Sequence, residues 1–147
     1  MPIKRSKGGY SGVSEEMYLD TDIILALIKQ QDWLKPYVRL KDLQPAKTST
    51  LTIVEARIVL LREYSRKEAL DALKKVKDFG IQILPLDEKV MQKSQELMHT
   101  HEKLQIFDAI HAACAIIHNE TLVSTDSIYQ DINEVHQHNP RTINPDH

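Results

Sequence analysis

Hydrophobic residues along this chain change their spacing several times, and each change marks an element. Tyr18 and Leu19 read as the end of a short buried strand, and directly after them Ile23, Ile24, Leu27 and Ile28 recur at helical spacing over Asp22 to Gln30. Trp33, Leu34, Val38 and Leu40 suggest another short helix, while Pro45 and the polar run Lys47 to Thr50 mark the next boundary. From there the spacing predicts a helix to about Glu63, with Leu51, Val54, Ile58 and Leu61 on one face. Ser65 and Glu68 form a capping-box pattern that opens a helix closed by Gly80, and these two helices are expected to pair antiparallel. Ile81 to Leu84 is a brief β-type run stopped by Pro85, and Asp87 caps a helix that continues toward His99. Ile106 to His118 is apolar nearly all round, as befits a helix in the middle of a fold, and its alanines let neighbours approach closely. Thr121 to Ser124 reads as a last strand ending at Asp126, followed by a turn-rich tail with Asn139, Pro140, Asn144 and Pro145. Short buried strands alternating with helices predict an α/β domain with a parallel sheet and helices on both faces.

Composition narrows this picture without redirecting it. A chain of 147 residues, 41% hydrophobic and 27% charged, fits one globular domain. Gly8, Gly9 and Gly12 lie beside Lys4, Arg5 and Lys7, so residues 1–16 are expected to be a flexible basic arm and residues 17–147 the single domain. The one cysteine, Cys114, lies in an apolar run and allows no disulfide framework. No apolar stretch approaches a membrane span and the opening residues carry no signal-peptide h-region, so a cytoplasmic protein is expected. The net charge of −2 gives no bulk signal for nucleic acid. Residues 56–79 nonetheless hold seven basic side chains against four acidic ones, which makes that stretch the candidate phosphate-facing side.

The candidate chemistry lies in four acids. Charged side chains are rarely buried unless paired or metal-bound. Glu55 sits between Leu51 and the pair Ile58 and Val59, and Asp108 lies in the first turn of the most apolar helix. Asp20 and Asp126 fall at or just after the carboxyl ends of predicted strands, the edge where open parallel sheets bind ligands. Taken singly, Asp20 or Asp126 also suits a helix cap, and Asp108 suits the positive end of its helix. Together on one edge they would repel each other, and a hard divalent cation, Mg²⁺ or Mn²⁺, would resolve the repulsion.

These residues resemble the PIN-domain family, and the standalone VapC-type toxin ribonucleases in particular. Leu19-Asp20-Thr21-Asp22-Ile23-Ile24 is similar to the family's opening strand and turn, and Thr52-Ile53-Val54-Glu55 to its second helix. Phe107-Asp108-Ala109-Ile110-His111-Ala112-Ala113 resembles the central helix, and Leu122-Val123-Ser124-Thr125-Asp126 the last acidic strand end. The similarity spans about Met17 to Tyr129. It implies a three-layer domain with a short central parallel sheet flanked by helices, Mg²⁺- or Mn²⁺-dependent cleavage of single-stranded RNA, and a homodimer. It also implies an antitoxin that blocks the acidic cleft, often with a basic side chain. Asp20, Glu55, Asp108 and Asp126 would be metal ligands directly or through water, and Ser124 would orient the site. Asp22 replaces the asparagine common at its position, and Ile128 stands where many relatives have a further acid.

Other readings stay open at this level. An RNA-processing nuclease fits the same motifs. Asp20 and Asp22 also read as the strand-end Asp-x-Asp of a haloacid-dehalogenase-like phosphatase, with Asp20 as nucleophile, although that scheme leaves Glu55 unexplained. A non-catalytic RNA-binding module could keep the scaffold. The seven histidines lack cysteine partners and a recognisable zinc spacing. His111, one turn from Asp108, could hydrogen-bond near the site but is expected to be a packed or partly exposed helix residue, and Phe107, Trp33 and Tyr129 to be core rather than base-stacking platforms.

Overall fold

Five short strands, β1 (Met17–Leu19), β2 (Ala46–Ser49), β3 (Gln82–Leu84), β4 (Thr121–Val123) and β5 (Gln137–His138), lie parallel in the order β3-β2-β1-β4-β5. The computed structural model describes residues 16–142, so residues 1–15 of the expected basic arm, and Asn144 and Pro145 of the tail, lie outside it. Five helices flank the sheet: α1 (Thr21–Ile28), α2 (Thr50–Glu63), α3 (Arg66–Asp78), α4 (Glu88–Thr100) and α5 (Ile106–Ile117). The chain winds outward from β1 through β2 to β3, then crosses back to place β4 on the other side of β1. The strand order therefore reverses between β1 and β4, and in open α/β sheets the crevice beyond the strand ends at such a reversal is where ligands bind.

Alternation along the strands divides the core into two layers. Tyr18 and Leu122 pack with Val90, Leu97 and the alanines of α5 on one face. Leu19 and Val123, their neighbours in sequence, pack with Ile23, Ile24, Leu60, Ala69 and Val76 on the other. Ala109, Ala112 and Ala113 are fully buried, as the close-packed central helix requires.

Local chemistry sets the helix boundaries. Asp20 caps α1, Ser65 and Glu68 close a reciprocal capping box on α3, and Asp87 accepts from the Val90 amide at the start of α4. Gly80 follows α3 at φ +76°, the left-handed conformation that ends helices at least cost for glycine. At its far end α1 is held by two lysines. Lys35 Nζ donates to the carbonyls of Ala26 and Lys29 at 2.8 Å each, and Lys75 Nζ donates to that of Ile28 at 3.3 Å.

The structure corrects four expectations. The polar run Lys47 to Thr50 is not a boundary but mostly β2, a central strand. Its polar side chains are satisfied internally: Thr48 Oγ1 donates to the Leu19 carbonyl at 2.8 Å, and Lys47 lies between Glu16 and Glu120. The region from Trp33 to Leu40 forms short 3₁₀ turns at Lys35–Tyr37 and Leu40–Asp42 rather than a helix. The core face of α2 is Leu51, Thr52, Ala56 and Leu60, leaving Val54, Ile58 and Leu61 at 45%, 45% and 41% exposure. Tyr129 is core as expected, but Trp33 and Phe107 are exposed, and Trp33 is covered on one face by the Arg141 guanidinium 5.1 Å away.

Candidate active site

Asp20 leaves the end of β1 and turns at once into α1, so its backbone carbonyl begins the helix while its carboxylate stays at the sheet edge. Oδ1 accepts from the Thr21 amide at 2.8 Å, and Oδ2 accepts from the Ser124 hydroxyl at 2.7 Å. Ser124, buried just past β4, also accepts the Asp126 amide at 3.1 Å. Asp126 in turn caps the 3₁₀ turn Ser127–Asp131 through the Ile128 amide at 3.0 Å. One serine thus ties the ends of β1 and β4 together across the reversal in strand order.

Glu55 reaches the same edge from α2. Its Oε1 accepts from Thr21 Oγ1 at 2.7 Å and lies 2.6 Å from His111 Nε2. The same imidazole nitrogen stands 3.5 Å from Asp20 Oδ1. Burial works against ionisation of Glu55, but the bonds from His111 and Thr21 outweigh it and hold the carboxyl below its ordinary range. For His111 burial likewise opposes the charged form, and the Glu55 bond followed by the Asp20 charge raises its proton affinity above the ordinary value.

Asp108 completes the set from the first turn of α5. Burial chiefly, then the charges of Asp126 and Asp20, raise its carboxyl above the ordinary range. The same three charges bear on Tyr129, whose hydroxyl is buried without a hydrogen-bond partner. Asp22 is a fifth acid at this edge. Its Oδ2 accepts from the Thr125 amide at 3.1 Å and hydroxyl at 2.6 Å, whereas its buried Oδ1 has no partner. Burial and the Asp20 charge push it up to about 6.

Two orphaned polar atoms beside several mutually repelling carboxylates form an oxygen-rich, electron-rich cleft. Among the described residues, no three His, Cys, Asp or Glu side chains are grouped so as to hold an ion directly. Carboxylate oxygens are the donors a small hard cation takes, and such an ion keeps several of its waters.

Asp20 follows β1, Asp126 lies beyond β4, Glu55 is on α2 and Asp108 is in the first turn of α5, and several polar neighbours join them at this edge. His111 was expected to be packed; it is buried, but its ring bridges Tyr18 and Glu55. Tyr18, expected only as a buried strand residue, and Thr21 also supply hydroxyls to this network. A polar residue one turn after Asp108 in an otherwise apolar helix was the available signal, because a buried imidazole needs partners.

A family model described as PIN domain matches residues 17–135. No curated protein matches the chain by sequence. Among solved structures it is similar to a toxin–antitoxin complex from Klebsiella pneumoniae, at 20% identity and TM-score 0.66, covering 85% of this chain and 98% of that chain. DNA-bound VapBC from Salmonella typhimurium superimposes with TM-score 0.72 at 12% identity, covering 85% and 98%. VapC20 of Mycobacterium tuberculosis, a sarcin-ricin-loop-cleaving toxin, gives TM-score 0.68 at 16% identity, covering 80% and 95%. At these identities the likeness is one of fold.

Proposed function

The chain belongs to the PIN domain family, and from that premise we propose that it is a metal-dependent endoribonuclease that hydrolyses single-stranded RNA, acting as the toxin of a toxin–antitoxin pair. The observation that supports this reading is that acids from separate elements bear on one another: Glu55 and Asp20 share His111 Nε2, and the charges of Asp126, Asp20 and Glu55 act on Asp108. The haloacid-dehalogenase alternative loses its basis, since the matched family is a different one.

In this scheme Asp20, Glu55, Asp108 and Asp126 hold Mg²⁺ or Mn²⁺, some of them through water. The ion, when bound, supplies activation of a water and offsets charge on the phosphoryl oxygens. Ser124 keeps Asp20 oriented, and Thr21 does the same for Glu55. Water adds at phosphorus as the P–O bond to the departing strand breaks. Arg57 and Arg62, exposed on α2, offer phosphate contacts to the approaching strand.

The solved structures with this fold include VapBC toxin–antitoxin complexes, which supports an antitoxin as partner here. The exposed Val54, Ile58 and Leu61 lie on the helix that carries Glu55, so an inhibitor seated on them would also cover the cleft. The exposed Met91 and Met98 of α4 give a separate apolar surface for a second copy of the chain. No helix among the described residues is long and apolar enough to cross a membrane.

The decisive experiment is cleavage of labelled single-stranded RNA with Mn²⁺, with EDTA, and by an Asp20→Asn variant. Cleavage is expected only with metal and the intact aspartate. Undiminished cleavage in EDTA would refute the reading.

A further inference from the structure

The reaction scheme leaves two buried polar side chains, Tyr18 and His111, without a task. Tyr18 has no exposed surface. Its hydroxyl donates to Ser49 Oγ at 2.7 Å and lies 2.7 Å from His111 Nδ1. The opposite ring nitrogen of His111 faces Glu55 Oε1 at 2.6 Å and Thr21 Oγ1 at 3.4 Å. An unbroken chain of polar contacts therefore runs Ser49, Tyr18, His111, Glu55, Thr21. Its members come from β2, β1, α5, α2 and α1.

An imidazole held at one nitrogen can swing about its χ2 bond, whereas one held at both presents a fixed edge. Here the fixed end is the sheet. Ser49 and Tyr18 sit in neighbouring central strands, and the rings of Tyr18 and His111 pack at 5.8 Å with a 57° tilt. The other end is a carboxylate that retains 23% side-chain exposure at the rim of the cleft. Satisfying buried polar groups alone would explain a chain that closes within the core. This one leads instead out to a group the proposed reaction uses.

We propose that Tyr18, acting through His111, is the positioning device that sets the Glu55 carboxylate in the cleft. Glu55 is thereby aimed from the sheet, with Thr21 of α1 as its second contact, rather than by its own helix. The functional weight of this assignment rests on the metal-nuclease reading, but the positioning itself does not.

The test uses the full chain in two measurements, a metal-free crystal structure grown in EDTA and Mn²⁺ binding by calorimetry. Tyr18→Phe removes one oxygen and keeps the ring. It is expected to release Glu55 from its contact with His111 and to weaken Mn²⁺ binding roughly ten-fold or more, the usual effect of losing an outer partner of a metal ligand. Glu55 unmoved and affinity unchanged would overturn the proposal. His111→Gln keeps an N–H near the position of Nε2 and should rescue much of the affinity that His111→Leu loses; a merely structural role would track melting temperature instead. Should Tyr18→Phe not fold, the His111 pair decides: Glu55 held in Gln and released in Leu supports the proposal, and any other pattern overturns it. If the wild type neither binds Mn²⁺ nor cuts RNA, the nuclease reading falls, and the position of Glu55 in the metal-free crystals still decides between the two outcomes.

Discussion

Ser124 Oγ donates its proton to Asp20 Oδ2 at 2.7 Å and itself accepts the Asp126 amide at 3.1 Å. A single buried atom thus sets the separation of two acids that enter the cleft from different strands. Ser124→Ala should lower the cleavage rate roughly ten- to hundred-fold and cost about 1–3 kcal/mol in urea denaturation, since it strands a carboxylate oxygen and an amide. A rate within two-fold of wild type would mean that the acids hold their places without it.

The crowding of acids should make metal-free stability depend on pH. Burial and the Asp20 charge push Asp22 up to about 6 from an ordinary 3.8. A carboxyl that binds its proton more tightly when folded favours the fold below 3.8 and loses that contribution as pH rises through about 6. Asp108, raised by burial and then by Asp126, acts in the same direction, as does His111, raised chiefly by its bond to Glu55 against its burial. Glu55, lowered, keeps its contribution until pH falls below 4.5, and His138, lowered by burial, opposes the others below 6.5. Asp22→Asn isolates one group from this sum. In EDTA it should gain about 1–2 kcal/mol more at pH 7.5 than at pH 5, read from urea midpoints. Equal gains at the two pH values would show that Asp22 ionises normally. Millimolar Mn²⁺ should raise the wild-type midpoint at pH 7.5.

Val54, Ile58 and Leu61 are exposed apolar residues on the helix that carries Glu55. Substituting Val54→Lys and Ile58→Lys together should leave the melting temperature nearly unchanged. Co-expressed antitoxin should then bind at least ten-fold more weakly, as seen in a pull-down titration. Unchanged antitoxin binding would place its contact elsewhere on the surface.

At the opposite end of the strands, Lys47 bridges Glu16 and a Glu120 whose side chain has no exposed surface. Burial raises the Glu120 carboxyl above its ordinary range in spite of the lysine. Lys47→Met should therefore cost about 3–5 kcal/mol by leaving that carboxyl buried and unpaired. The double variant with Glu120→Gln should recover much of the loss in thermal denaturation. A single variant as stable as wild type would mean that water reaches Glu120.

The outline of the fold and the acids were legible because strand ends and helix caps follow local rules. Asp20 directly follows the apolar Tyr18-Leu19, Asp126 follows Leu122-Val123 after two hydroxyl residues, and Ser65, Glu68 and Gly80 bracket α3 as their chemistry requires. The hidden parts are those where tertiary partners replace hydrophobicity. β2 spells Ala46-Lys47-Thr48-Ser49 and looks like a loop, because its burial depends on Glu120, the Leu19 carbonyl and Tyr18, none of them nearby in sequence. On α2 the buried positions are partly small ones, Thr52 and Ala56, so the larger Val54, Ile58 and Leu61 pulled the expected face away from the core. The task of His111 was hidden for the same reason, since its partners lie 56 and 93 positions away.

The lysine clasp on the far end of α1 fastens that helix on the side away from the acids. Lys35 and Lys75 ammonium groups close the last carbonyls of a helix that begins beside Asp20 and is only eight residues long, roughly 12 Å at 1.5 Å per residue. The short segment that begins beside Asp20 is therefore tied down at both extremities, by a carboxylate at its start and by two ammonium groups at its finish.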